Sequence, residues 1–157
     1  MRIVALSCSI ALLVACAKAD QDAATDTAAG ATEMATTPTI SLADVAGRWD
    51  VTAKPQSGTD TTSTRYVLTA TSESSGWTIT FPNRPQPVAV RVVAVDGDSI
   101  VTEAGPFESV RRKGVQVTTR NVLRKAGDRL VGSTRARYAS VGADTVLILR
   151  TDGTRAP

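Results

Sequence analysis

Residues 114–140 read GVQVTTRNVLRKAGDRLVGSTRARYAS, two runs of alternating character joined at Ala126-Gly127-Asp128. In the first run Val115, Val117, Thr119, Asn121 and Leu123 fall on one side and Gln116, Thr118, Arg120, Val122 and Arg124 on the other. After the joint, Leu130, Gly132, Thr134, Ala136 and Tyr138 oppose Val131, Ser133, Arg135, Arg137 and Ala139. A repeat of two is the period of a strand, whose side chains alternate between faces. Gly and Asp at the joint tolerate the positive φ of a tight hairpin. The stretch therefore predicts a long antiparallel hairpin with one dry face and one wet face.

The same pattern extends in both directions. Short runs rich in Val, Ile, Thr and aromatics predict eight strands: Gly47 to Lys54, Thr64 to Thr71, Gly76 to Phe81, Gln86 to Val95, Ser99 to Glu103, Gly114 to Lys125, Arg129 to Ser140 and Thr145 to Thr151. Turn-forming clusters separate most of them, among them Gln56 to Asp60, Ser74-Ser75-Gly76, Pro82 to Pro85, Asp96-Gly97-Asp98 and Val141 to Asp144. Gly97-Asp98-Ser99-Ile100-Val101 and Gly127-Asp128-Arg129-Leu130-Val131 share one pattern, so two of the hairpins are expected to be built alike. Only Ser41 to Val45 suggests a helical turn. Residues 40–157 are thus expected to form one all-β domain, an eight-stranded antiparallel up-and-down meander. In its first strand Trp49, Val51 and Ala53 point inward, and in its third Trp77, Ile79 and Phe81 do.

Eight such strands can close into a barrel, which removes exposed edges. Gly47-Arg48-Trp49, on the first strand, resembles the Gly-x-Trp signature of lipocalins and their calycin relatives. The resemblance implies a barrel plugged at one end by Trp49 packed on an arginine from near the last strand, for which Arg150 or Arg155 is the counterpart. It makes Gly47, Trp49 and that arginine structural. An eight-stranded barrel is either filled by side chains or holds one small ligand. The inward residues are mostly small, so a lumen lined by Tyr66, Trp77, Phe81, Asn121 and Tyr138 would suit an apolar molecule. A filled barrel that meets other envelope components through its outer surface is the competing expectation.

The beginning of the chain supplies an address. Arg2 precedes a nearly unbroken apolar run from Ile3 to Ala15, the layout of a secretory signal. As a helix the run would reach only about 20 Å, short of the ~30 Å hydrocarbon core of a bilayer. Leu13-Val14-Ala15-Cys16 resembles the lipobox of bacterial lipoproteins. That resemblance implies cleavage after residue 15 and lipid on Cys16, with several acyl chains giving stable anchoring. Ala17 and Lys18 lack the aspartate that retains many lipoproteins at the inner membrane, so the periplasmic face of the outer membrane is expected. From Ala17 to Thr39 the composition is Ala, Thr, Asp and Gln with almost nothing large and apolar, which predicts a disordered tether.

Charge divides along the same boundary. The tether carries one lysine against four acids, net −3, while residues 40–157 carry sixteen Lys or Arg against eleven Asp or Glu, net +5. Arg111-Arg112-Lys113 is the densest basic run and a candidate contact for an envelope protein or an anionic surface. Nucleic acid is not expected for an exported chain with few aromatics.

Catalytic signals are sparse. The chain has no histidine, which removes the usual base near neutral pH and the commonest metal ligand. Cys8 leaves with the signal and Cys16 takes lipid, so no thiol pair remains for a disulfide. Asp96 and Asp98 read as turn residues, and Glu103 and Glu108 as flanking a loop, Ala104 to Phe107, over a barrel mouth. The chain is expected to be no enzyme and to need no cofactor and no metal.

Overall fold

A computed structural model describes residues 39–139 and 146–157. The signal, Cys16, residues 17–38 of the tether and the turn Val141 to Asp144 lie outside the described residues.

The elements are α1 (Leu42–Val45) and strands β1 (Gly47–Pro55), β2 (Thr64–Ala70), β3 (Trp77–Thr80), β4 (Val88–Asp96), β5 (Ser99–Glu108), β6 (Gln116–Ala126), β7 (Arg129–Tyr138) and β8 (Val146–Arg155). All pair antiparallel with their chain neighbours, and β8 returns to β1, so the meander closes as a barrel. The opening hairpin is β6–β7, in register from Val117↔Tyr138 to Ala126↔Arg129. Its turn repeats that of β4–β5: Gly97 and Gly127 hold φ of +53° and +60°, the left-handed backbone that a two-residue hairpin turn requires.

Alternation sets the inside. Trp49, Val51, Leu68, Trp77, Ile79, Ile100, Leu123 and Leu130 are all buried, while Arg48, Asp50, Thr118, Arg120 and Arg135 on the same strands are not. Every pairing and core contact described here falls within the compact unit Ala35–Pro157.

Two expectations change. β5 does not stop at Glu103: it continues to Glu108, with Phe107↔Val117 and Glu108↔Gln116 paired to β6 after a register shift between Ala104 and Phe107. Ala104 to Phe107 are therefore strand, not a loop over the mouth. A bulge leaves one residue without a ladder partner, so Pro106, which has no N–H to offer, is accommodated there. β8 likewise runs past Thr151 to Arg155, which lies opposite Trp49.

Candidate functional site

At one end of the barrel, the turns β4–β5 and β6–β7, the helical turn α1 and the C-terminus come together. The Trp49 indole, fully buried, donates through Nε1 to the Val45 carbonyl at 2.8 Å. The Arg155 guanidinium lies over that ring, 4.5 Å from its centroid, and donates to the carbonyls of Ala46 (2.8 Å) and Asp44 (3.3 Å). Gly47 holds φ +129°, and a Cβ there would stand 2.6 Å from Arg155 Nη1. Gly47, Trp49 and Arg155 thus form one locked unit. Arg150, the other counterpart inferred from the sequence, is not part of it: it is exposed on the outer wall, opposite Lys54.

The barrel interior is closed by side chains. Asn121 on β6 donates through Nδ2 to Thr102 Oγ1 on β5 (3.0 Å) and accepts at Oδ1 from Thr134 Oγ1 on β7 (2.7 Å). With its proton committed to Asn121, the Thr134 hydroxyl accepts from Thr151 on β8, 2.8 Å away. The Tyr66 hydroxyl joins the same hydroxyl pair from β2, and burial pushes it up to about 12 against the two hydrogen bonds, which act in the opposite sense. Thr102 and Thr151 are 1 % exposed, Asn121 4 % and Thr134 5 %. A cavity able to hold a ligand would leave accessible surface on its walls, and these walls have almost none.

The five residues expected to line a lumen are accordingly not brought together as a lining. Asn121 and the Tyr66 hydroxyl belong to the interior network. Trp77, 1 % exposed, sits at the start of β3 with its indole donating to the Glu73 carbonyl. Tyr138 is buried beneath the Arg112 guanidinium, 4.2 Å from its ring centroid. Phe81 packs between Tyr66 and Phe107, with both ring centroids 5.7 Å away, and of the five it is the one that lines an open cleft.

That open space is a cleft of about 850 Å³ at the opposite end of the barrel, between the β3–β4 and β5–β6 connections. Pro82, Pro85 and Val110 give it an apolar rim, and Arg65, Arg84 and Lys113 give it positive charge. Glu108 supplies the one carboxylate, and it accepts from the Gly114 N–H at 3.0 Å.

The basic run 111–113 does not present three cations to solvent. The Arg111 side chain is only 11 % exposed and ties the β5–β6 connection to the β1–β2 connection, donating to the Thr62 carbonyl (2.7 Å), Thr64 Oγ1 (3.1 Å) and the Asp60 carboxylate. Thr62, through its backbone N–H and side chain, and then Arg111 hold the Asp60 carboxyl below its ordinary value. Arg112 covers Tyr138, which leaves Lys113 on the cleft rim.

The pairing register creates a different basic surface, one that the sequence reading missed. Arg135 lies directly opposite Arg120, and Arg150 directly opposite Lys54. Arg137 stands two residues from Arg135 on the same outward row. The visible signal was the alternation Arg135-x-Arg137 on a wet face.

No protein-family model, no curated protein and no solved structure matches this chain.

Proposed function

We propose that this protein is a bacterial envelope lipoprotein, held to a membrane by lipid on Cys16, whose barrel is filled and serves as a non-enzymatic interaction module. One observation carries the choice of a filled module over a ligand carrier: Thr102, Asn121, Thr134 and Thr151, joined by the hydroxyl of the partly buried Tyr66, form a hydrogen-bonded group across the interior, and those four residues have almost no accessible surface. An apolar ligand in that position would strip partners from buried hydroxyls and an amide, at about 1 to 3 kcal/mol for each group left unsatisfied. The closed meander and the Gly47–Trp49–Arg155 unit support a lipocalin-like architecture. The apolar run ending at Cys16 and the lipobox-like Leu13-Val14-Ala15-Cys16 support the anchor, and the Ala17-Lys18 pair supports the outer membrane as its site.

Cys16→Ser tests the address. The natural chain, expressed in a bacterium, is expected in the membrane fraction with a lipid-modified N-terminal peptide by mass spectrometry, and the variant in the soluble fraction. Persistent membrane association of the variant through high-salt washing would remove the lipid anchor from the proposal. Native mass spectrometry of residues 35–157 is expected to return the bare mass, whereas a stoichiometric co-purified lipid would favour the carrier reading.

A further inference from the structure

The outer wall of β7, β8 and β1 carries a set of cations that the fold itself leaves unbalanced. Lys54, Arg135, Arg137 and Arg150 are exposed, and among the described residues none of them meets a carboxylate. Of the acids beside these cations, Glu103 on β5 and Asp152 on β8 are already taken, and Asp50 on β1 stands four residues from Lys54 along the outward row. Glu103 is shared by Arg91 and Arg120, both at 2.6 Å, and Asp152 is engaged by Arg129. Glu103 is held below its ordinary value first by its hydrogen bond from Arg120, so it stays ionised and occupied.

Register makes the imbalance costly. Like charges directly opposite on neighbouring strands repel, and a sheet gains by pairing opposite ones. Here Arg120 faces Arg135 and Lys54 faces Arg150. Adjacent strands are about 4.8 Å apart and alternate residues about 6.8 Å, so the four free cations share a patch roughly 15 Å across. A partner rich in negative charge would convert that repulsion into attraction.

Apolar side chains between the cations narrow the partner's chemistry. Val146, 38 % exposed, lies opposite Arg137, and half-buried Ile148 lies opposite Arg135. Short aliphatics interleaved with long cationic stems suit a boundary where charge meets hydrocarbon, because the stems lie along apolar surface while their heads reach the anions.

We propose that the β7–β8–β1 wall docks on the anionic head groups of a phospholipid surface. This rests on the envelope reading above and deepens it, since a lipid on Cys16 would hold the chain at such a surface while the wall orients the barrel on it.

Residues 35–157, which carry no lipid, test the wall separately from the anchor. They are incubated with vesicles of phosphatidylcholine alone, or of phosphatidylcholine and phosphatidylglycerol in equal parts, and sedimented. Binding to the anionic vesicles is expected, with loss at high salt as the charges are screened. Juxtamembrane cations contribute about fivefold each, so R135Q/R137Q is expected to weaken binding about 25-fold. Arg48→Gln, at the far end of β1, removes the same kind of charge outside the patch and is expected to change binding little. The melting temperature of R135Q/R137Q should be equal to or above that of the parent, because repulsion from Arg120 is relieved.

Equal binding to the neutral vesicles, or an Arg48→Gln loss as large as that of the double variant, would overturn the proposal. So would a double variant that both binds and melts worse, since the arginines would then act through the fold. Displacement from vesicles by an acidic polysaccharide at equal charge would assign the wall to a soluble polyanion instead. None of these failures touches the anchor, which Cys16→Ser fractionation decides.

Discussion

Asn121→Ala is the sharpest test of whether the barrel is filled. The substitution removes two buried hydrogen bonds, to Thr102 Oγ1 at 3.0 Å and from Thr134 Oγ1 at 2.7 Å. Each contributes about 1 kcal/mol net. Thr134 can turn its proton toward Thr151, but the Thr102 hydroxyl, 1 % exposed and so shielded from bulk solvent, loses its donor. That orphaned group costs about 1 kcal/mol or more, and the space vacated by the amide somewhat under 1 kcal/mol. The expected loss is about 3 to 4 kcal/mol. Unfolding entropy of ~2.1 cal/mol/K per residue over about 118 residues makes 1 kcal/mol equal to roughly 4 °C. Calorimetry of residues 35–157 should therefore show a melting temperature lowered by about 12 to 16 °C. Thr118→Ala, outward on the same strand, is the control and should stay within about 0.5 kcal/mol. If Asn121 instead faced a wet or ligand-filled lumen, its loss would also fall within that surface range. A shift of about 2 °C or less in Asn121→Ala would thus refute the filled interior.

Two further outcomes probe the same interior. Gly132→Ala places a Cβ 2.0 Å from the Val122 carbonyl oxygen, a backbone atom that cannot swing away, so β6 and β7 must separate there. A loss of about 3 kcal/mol or more is expected in urea unfolding, and a loss under about 1 kcal/mol would show that the strands do not approach so closely. In a Tyr138→Phe background, absorbance titration should place Tyr66 near pH 12 instead of its ordinary 10, because burial raises it. A folded value above the unfolded one means that the Tyr66 contribution is complete below pH 10 and disappears as pH rises through 12. Titration near pH 10 in the folded protein would contradict the enclosed hydroxyl.

The inside and outside of this barrel were legible because alternation is local. Trp49, Val51, Leu123, Leu130 and Tyr138 declare their side by parity alone, and Gly97 and Gly127 declare their turns. Strand ends were harder, since Gly and Pro punctuate most chains but here lie within ladders. Pro106 reads as a stop, yet a bulge asks nothing of its missing N–H. Asp152 and Gly153 fall past the expected strand end at Thr151, yet Asp152 points outward to Arg129, and Gly153 lies so close to the interior that a Cβ there would stand 3.2 Å from Val51 Cγ2. That misread end left the arginine choice open. Once β8 is known to run to Arg155, the inward row Leu149, Thr151, Gly153 and Arg155 separates Arg155 from Arg150 without further information.

The basic wall fails to appear in the sequence for a different reason: its charges are close in space but not along the chain. Arg111-Arg112-Lys113 draws attention because three cations are adjacent, and its loop disperses them, Arg111 to Asp60 and Arg112 onto Tyr138. Lys54 and Arg150 meet only because β8 closes the barrel against β1, a register with no local signal, set by the far ends of the domain. Parity tells a reader that each of them faces water. Only the closed register shows that they face each other. A monomer in isolation gains nothing from that arrangement, because an acid at either position would pair where two cations now repel. The search for what this domain touches therefore begins on that wall, with an anionic surface as the first partner to offer it.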